Sequence, residues 1–469
     1  MATFAEQQLD EALIKPFRSG LRGTLMRPGD DGYDAARRVW NGRIDRKPTL
    51  IVSCVGVADV IQAVKFARVN NLEISVRGSG HNVTGNAVCD GGIMIDLSAM
   101  RGVRVDPQLR TVRAQAGATW GEFDHETQAF GLATTGARIS TTGIAGVTLG
   151  GGYGWLMRKY GLAIDNLRSV DVVTADGGFI MVSNGENADL FWGIRGGGGN
   201  FGIVTSFEYQ LHPVGPMITG GMAFYPVVEA KELLYRYREF MATARDELTA
   251  LFNFFSTLPP APFVPAHLRG VPVVAIAVCH IGSIEDGRRE LAPLREFAQP
   301  LIDRIRPMPY TTLQRLFDAA GVFGCQVHSQ SGHLAELSDN AIETLVAHAA
   351  HITSPLSIVM ISSLGGAVGR VGENDTAFSH RHVRYDYAID SVWTDHRESR
   401  RHMEWTDDFG KAMRVFSSGT YVNELGDEGE ERVRAAYNPT TYAQLVALKN
   451  KYDPGNLFHL NQNIKPTVG

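Results

Sequence analysis

The sequence predicts an α+β fold in two domains, and three features of the chain carry that prediction. Over residues 1–210, short apolar β runs alternate with amphipathic helical segments. Three glycine-rich stretches interrupt these runs at strand-to-loop junctions. Over residues 211–416, longer β runs alternate with helices, the pattern of an antiparallel sheet with helices on one face.

In chain order, an amphipathic segment at 6–18 comes first, then an irregular run through Pro28-Gly29-Asp30. Trp40-Asn41 precedes an apolar β run at 48–52. In 59–71, Val60, Ala63, Val64 and Ala67 recur at helical spacing, with Asp59 placed as N-cap and Asn70-Asn71 as the stop. Leu72, Ile74 and Val76 alternate as a strand that runs into Arg77-Gly78-Ser79-Gly80-His81, and the chain closes into another strand at 92–97. Strands at 101–105 and 111–116 lead to a helix at 119–128 whose Trp120 and Phe123 face inward.

The second glycine-rich stretch holds Gly143, Gly146, Gly150, Gly151, Gly152 and Gly154. Each glycine costs a helix about 1 kcal/mol, so the stretch reads as an irregular loop suited to close backbone contact. A hairpin turn at Asp176-Gly177-Gly178 follows, and 190–205 reads as a third glycine-rich loop entering a strand. The middle region offers β runs at 217–224, 250–256, 273–280, 356–364 and 385–393, and helices at 230–242, 283–297 and 339–351. A last helix at 440–452 ends in the turn Asp453-Pro454-Gly455-Asn456. The expected division is 1–210, 211–416 and a C-terminal return at 417–469 to the first domain.

Composition narrows the function. With 469 residues and 44% apolar side chains, the chain can bury two cores. A net charge of -5 provides no basic footprint, so no nucleic-acid partner is expected. Cys54, Cys89, Cys279 and Cys325 are scattered without metal-ligand spacing, so no metal is expected and the cysteines read as reduced core residues. No run approaches the roughly 18 apolar residues of a membrane span, and the N-terminus lacks a secretory pattern. The expected location is cytoplasmic.

The loop at 77–81 carries the most chemistry. Its small residues let backbone N–H groups form an anion-binding nest, Arg77 can lie against a phosphate, and His81 stands where the loop meets the ligand. Alone, such a loop is also the signature of a simple turn with a structural histidine. Three such loops flanked by apolar runs point instead to one large, flat, phosphate-bearing ligand gripped at several points. The dinucleotide fingerprint G-x-G-x-x-G is not met, because Val83 stands where the third glycine belongs.

The motifs R-G-S-G-H-N-x-x-G at 77–85, D-G-G-I-x-I-D-L at 90–97, G-I-A-G-x-x-x-G-G-G-Y-G at 143–154, the run at 190–205, Tyr421-Val422-Asn423 and D-P-G-N-L-F-x-x-N-Q-N-I at 453–464 occur in one order. In that order the chain resembles the berberine-bridge-enzyme-like FAD-linked oxidases of the vanillyl-alcohol-oxidase superfamily. The resemblance implies a two-part FAD-binding domain plus a substrate domain whose antiparallel sheet roofs the flavin. It implies FAD bound covalently at its 8α-carbon through His81, with Arg77, Gly78, Ser79, Gly80, Asn82, Gly136, Thr141, Gly143, Gly146, Gly150, Gly151, Gly154, Gly202, Ile203, Val204, Asn423 and Asn461 holding the cofactor. Relatives often add a cysteinyl link from the next loop; here Ile139 occupies that position and Ser140 stands where proline is usual, so attachment through His81 alone is expected.

Catalytic candidates follow from the same resemblance. Tyr421 matches the tyrosine of the Tyr-x-Asn motif, and Tyr153 a tyrosine of the family's active site, the alternative for each being packing. On the strand at 385–393, Tyr385 and Tyr387 share one face and Asp386 and Ala388 the other. Asp386 is favoured as the group facing the flavin, against a surface carboxylate. His328, His333, His380 and His382 receive no role. Val83 replaces a tyrosine common in relatives, and Thr142 stands at a position tied to oxygen access. The implied activity is hydride transfer from a CH–OH or CH–NH group of a small molecule to FAD, then electron transfer to O2 giving H2O2, in a monomer or homodimer. A dehydrogenase with another acceptor and a non-catalytic flavin-binding protein remain as alternatives.

Overall fold

The computed structural model describes residues 9–258 and 261–467. The first expected helix is observed at Glu11–Gly20, and the part of that expectation at 6–8 lies outside the described residues.

Two sheets are built from the N-terminal 210 residues. The first has the order Thr24–Met26, Leu50–Ser53, Ile93–Asp96, Ile74–Arg77, with an antiparallel first pair and parallel pairs thereafter. The second is antiparallel throughout, in the order Val103–Asp106, Thr111–Gln115, Ile203–Gln210, Leu167–Val173, Phe179–Ser183. One core joins both, containing Val64, Ile95, Phe123, Phe191 and Phe207, all unexposed. Each such side chain contributes about 1.5–3 kcal/mol on leaving water.

The helix after the first β run is Val57–Val69, and its N-cap is Gly56, not Asp59. The buried Asp59 carboxylate accepts instead from the N–H groups of Arg22, Gly23 and Val55 at 2.8, 3.1 and 3.0 Å. It ties the preceding turn to the N-terminal strand. Thr119 caps the helix Trp120–Gln128 in a reciprocal capping box with Glu122.

The glycine-rich stretch at 143–154 is not irregular throughout, because Ile144–Gly150 is an α-helix. Tertiary contacts outweigh the glycine cost. Ile144, Thr148 and Leu149 are buried, Gly143 N–H donates to Ser79 Oγ at 2.7 Å, and the Leu149 carbonyl accepts from Gly196 and Gly198 at 3.0 Å each. Likewise, Ala188–Ile194 is helical before the third glycine-rich loop.

The remaining large sheet is antiparallel, with the central order Met217–Pro226, Val273–His280, Leu248–Phe255, Ile358–Ser363, Tyr385–Trp393, Gln326–Leu334. Ala230–Thr243, Asp339–Ala349 and Ser399–Arg414 cover one face, burying Tyr237, Leu345 and Phe409 against Phe252, Tyr387 and Ile389. The expected single helix at 283–297 is broken into Ile284–Glu290 and Ala292–Phe297. The strand Gln326–Leu334 and the helix Ser399–Arg414 are additions to the sequence reading. The strand's QVHSQSGHL has one aliphatic residue before its terminal Leu334, so no alternation marks it.

The uncovered face of this sheet turns toward the first two sheets. Arg381 binds both oxygens of Asp165 at 2.7 Å, with both side chains buried, and Asn41 Nδ2 donates to the Val83 and Val327 carbonyls. The C-terminal helix Pro439–Tyr452 packs on the N-terminal core, and its buried Lys449 donates to Asp453 at 2.7 Å and to the Asn200 and Phe458 carbonyls.

Candidate active site

A cavity of about 440 Å³ lies between the large sheet and the glycine-rich loops. Gly78, Ser79, Gly80, His81 and Asn82 form one wall, Gly143 and Gly146 another, Gly199, Gly202, Ile203 and Val204 a third. Asn461 and Asn423 close it from the C-terminal segment, and Met360, Ala388, Asp390 and Val392 come from the sheet above.

His81 is positioned by the strand Ile74–Arg77 behind it and by Trp40. The Trp40 backbone N–H donates to the Gly80 carbonyl at 3.0 Å, and the Trp40 ring stacks on the imidazole at 5.3 Å and 13°. Burial lowers the His81 pKa to about 4, only partly offset by Asp318, so the ring is neutral at neutral pH. Val83, Ile139 and Thr142 line the same cavity. All four cysteines are buried and free.

Several expected contact residues stand elsewhere. The Arg77 guanidinium does not line the cavity; it grips Asp96 through Nε at 2.9 Å and Nη2 at 2.5 Å and bonds the Ala36 carbonyl. Its place against a phosphate is therefore corrected to a structural pair that fixes the loop base. Gly136 lies against the Trp120 ring, Gly154 against the Gly136 backbone, Gly150 against Asn423, and Gly151 between Phe378 and Tyr421. These four glycines pack at one remove from the cavity wall, and Thr141 is exposed outside it.

At one end of the cavity, Tyr153 and Tyr421 stack at 4.1 Å with their planes 19° apart. Tyr421 Oη accepts from Gly152 N–H at 2.8 Å and from Asn423 Nδ2 at 2.7 Å, which leaves its own proton free. Asn423 Nδ2 also reaches the Val147 carbonyl, joining the Tyr-x-Asn motif to the Ile144–Gly150 helix. Burial raises both phenol pKa values. Arg138 lies 5.8 Å from the Tyr153 ring.

Asp386 lies on the cavity-side face of its strand, opposite to Tyr385 and Tyr387, which join the helix-covered core. Yet it is set behind the wall: it is unexposed and lies 3.6 Å from His333 Nε2. Burial and the facing Glu424 carboxylate hold its pKa well above the usual range. Glu424 is itself pushed up to about 7 by burial, against the pull of Arg138. Asp390, two positions beyond Ala388, lies on the cavity wall and accepts from Ser329 Oγ at 2.6 Å.

Sequence reasoning missed Glu424, Asp390, Arg138 and His333. The first two had a signal: Glu424 follows Asn423 directly, and Asp390 extends the Asp386 face by two steps of the β alternation. His333 had none, since its strand was invisible; it is unexposed, with Nε2 2.7 Å from Tyr153 Oη.

Residues 48–183 match a family described as FAD binding domain, and residues 420–465 match berberine and berberine-like. An FAD-linked oxidoreductase of Dictyostelium discoideum is 32% identical over 458 residues, covering 97% of each chain. The (R)-6-hydroxynicotine oxidase of Paenarthrobacter nicotinovorans is 31% identical, over 95% of this chain and 97% of that protein. The crystal structure of 6-hydroxy-D-nicotine oxidase from Arthrobacter nicotinovorans superposes with a TM-score of 0.85 at 29% identity, over 95% of this chain and 98% of that one. With motifs, fold and full-length relatives in agreement, the chain belongs to the berberine-bridge-enzyme-like FAD-linked oxidoreductases of the vanillyl-alcohol-oxidase superfamily.

Proposed function

We propose that this oxidoreductase carries FAD covalently on His81 alone and oxidises a CH–OH or CH–NH group of a small molecule, with O2 as final acceptor. The working division is a cofactor domain at 1–210 and 417–469 and a substrate domain at 211–416. The observation that carries the reading is a neutral imidazole on one cavity wall, facing a glycine-lined cleft that ends in two phenols backed by carboxyls.

The residues present fit FAD. Among the described residues, no protein group accepts the N–H of Ser79, Gly80, His81, Asn82 or Val83, and these can hold phosphate and ring oxygens. Gly146 and Gly199 line the cavity, and a Cβ at either would stand in open space within it. When bound, FAD supplies the two-electron acceptor for the hydride and hands the electrons on.

The chain's own residues supply position and proton handling. Neutral His81 offers a nucleophilic ring nitrogen, held by the Trp40 stack, for the covalent bond. Tyr421 has a free hydroxyl proton to donate to a substrate oxygen or nitrogen. Tyr153 receives the substrate O–H or N–H proton, and the Asp386–Glu424 pair behind it holds further exchangeable protons. Asp390 on the wall suits a hydroxyl or amine donor, in keeping with a relative named for the oxidation of 6-hydroxynicotine. Thr142, close to valine in shape, leaves room for O2.

The test is acid precipitation and intact mass of the purified protein beside His81→Ala. Flavin retained in the pellet, with the mass of one FAD that is absent from the mutant, supports the reading. Flavin released into the supernatant of the wild type overturns the covalent link. Stopped-flow mixing of reduced enzyme with O2 decides the acceptor, since slow reoxidation leaves only a dehydrogenase.

A further inference from the structure

Behind Tyr153 the structure continues into groups that the oxidation itself does not use. His333 Nε2 lies 2.7 Å from Tyr153 Oη, and the His333 ring meets the His380 ring edge-on at 5.0 Å. His380 stands on the wall of a second cavity, which also takes in Arg414, Arg432, Ser417 and the exposed His382. Three titratable side chains therefore connect the substrate cavity to a separate polar one.

The hydrogen-bond polarity is consistent along this line. His380 Nε2 lies 3.1 Å from the Ala435 carbonyl oxygen, which can only accept, so Nε2 carries the proton and Nδ1 is a bare lone pair. The Tyr153 phenol, kept neutral by burial, has a proton to donate to His333 Nε2, and with the phenol as donor the His333 proton sits on Nδ1. That Nδ1 is buried without a hydrogen-bond partner among the described residues. An unmet buried donor thus stands beside a ring whose free nitrogen is an acceptor, an arrangement that is costly unless it is used.

We propose that Tyr153, His333 and His380 form a proton-exit path from the substrate cavity to the second cavity. The proposal rests on the reading above that a substrate proton is released at Tyr153. The substrate O–H or N–H bond breaks and its proton joins Tyr153 Oη, while the Tyr153 proton passes to His333 Nε2. The His333 Nδ1 proton then passes to His380 Nδ1 through one water or a small ring rotation, and His380 gives a proton to solvent in the second cavity. The Tyr153 hydroxyl then rotates back toward His333, and both rings return to their resting tautomers by exchange with water from the second cavity, which takes the newly gained proton from each ring and returns one to His333 Nδ1 and to His380 Nε2, with no net change in proton count. One proton leaves the substrate and one reaches solvent; the electron pair leaves separately with the hydride.

The surroundings suit a path that holds no charge at rest. Burial lowers the pKa of both imidazoles, and His380, His382 and Arg432 disfavour a charged His333 further. On the substrate side, Asp386 lies 3.6 Å from His333 Nε2, with Glu424 and Arg138 beyond it. A carboxyl held protonated there does not trap the transferred proton.

Two measurements test the path. In ¹⁵N-histidine-labelled protein, His333 is expected as the Nδ1–H tautomer and His380 as the Nε2–H tautomer; either ring in the opposite tautomer overturns the proposal. In His380→Ala, FAD content and KM are expected to hold while kcat falls about tenfold or more. Added imidazoles should restore kcat in proportion to their basicity. Rescue equally well by non-basic thiophene would show that His380 only fills space, and so would full activity in His380→Gln, which keeps its bulk. If wild type oxidises substrates and His380→Ala does so at the same rate and with the same solvent isotope effect, the path is overturned while the oxidase reading stands. If wild type oxidises no alcohol or amine, the oxidase reading falls and takes the path with it.

Discussion

Tyr421 and Tyr153 stack at 4.1 Å although 268 positions separate them, and the phenol of Tyr421 is pinned from below by Gly152 N–H at 2.8 Å. The C-terminal segment thus sets the floor on which Tyr153 lies. Because Gly151 is at φ 143° and Gly152 at φ 91°, a backbone other residues rarely adopt, the glycine run can turn that N–H toward the phenol.

Tyr421→Phe is expected to lose both stability and activity. Gly152 N–H loses its acceptor in a buried place and Asn423 Nδ2 keeps only the Val147 carbonyl, a cost of about 1–3 kcal/mol. The lost hydroxyl should lower kcat by about a hundredfold if it donates to substrate. Urea unfolding of the flavin-loaded protein and steady-state kinetics read the two effects separately. An unchanged kcat would assign Tyr421 to packing alone.

Glu424 gives a pH prediction with a definite sign. Its pKa is raised from 4.5 to about 7 on folding, so the native state keeps a proton that the unfolded chain gives up. Its contribution is complete below pH 4.5 and is lost as pH rises through about 7. Asp386 shifts in the same direction. Glu424→Gln, neutral at every pH, should therefore lose less stability than wild type between pH 4.5 and about 7. Urea midpoints across that window check it; parallel curves would mean that the carboxyl is already ionised.

How far the sequence was legible depends on what kind of signal each element carries. The strands Val273–His280 and Tyr385–Trp393 match the sequence reading end to end, because a short apolar run is a local signal. The helix Ile144–Gly150 was not legible, since its support comes from Ser79 and from Gly196 and Gly198, far along the chain. The cavity wall at 78–82 was legible in its motif, but Arg77 was misplaced because its partner Asp96 pairs with it only across the parallel register of two strands. Nothing local marks His333 as the neighbour of Tyr153, 180 positions away.

The same limit applies to the glycines, and it makes a contrasting pair of variants informative. Gly136 and Gly146 look alike in sequence, yet a Cβ at Gly136 would overlap the Trp120 ring, whereas one at Gly146 meets nothing within 4 Å. Gly136→Ala should cost about 1–3 kcal/mol through overpacking. Gly146→Leu should leave the apoprotein as stable as wild type, because the side chain enters the cavity and replaces a poor helix former. Its flavin content should instead fall sharply. Thermal unfolding and flavin absorbance per chain separate the two; normal flavin loading in Gly146→Leu would place the cofactor elsewhere.

Lys449 tests what holds the C-terminal segment in place. Its ammonium is unexposed and bonded to Asp453 at 2.7 Å, to Asn200 O at 2.8 Å and to Phe458 O at 2.9 Å. Asp453 in turn accepts the N–H groups of Leu457 and Phe458 at 2.8 and 2.9 Å. Removing the cation alone strands a buried carboxylate, which costs about 3–5 kcal/mol, whereas removing both charges costs far less. Lys449→Met should therefore be strongly destabilised, and Lys449→Met with Asp453→Asn should recover much of the loss. Because Asn200 Nδ2 also binds the Gln462 carbonyl beside Asn461 on the cavity wall, the single variant should loosen flavin binding as well. Denaturant midpoints and flavin retention on dialysis measure both, and a double variant no more stable than the single one would show that the ammonium's bonds to the two carbonyls, not its pairing with Asp453, hold the segment.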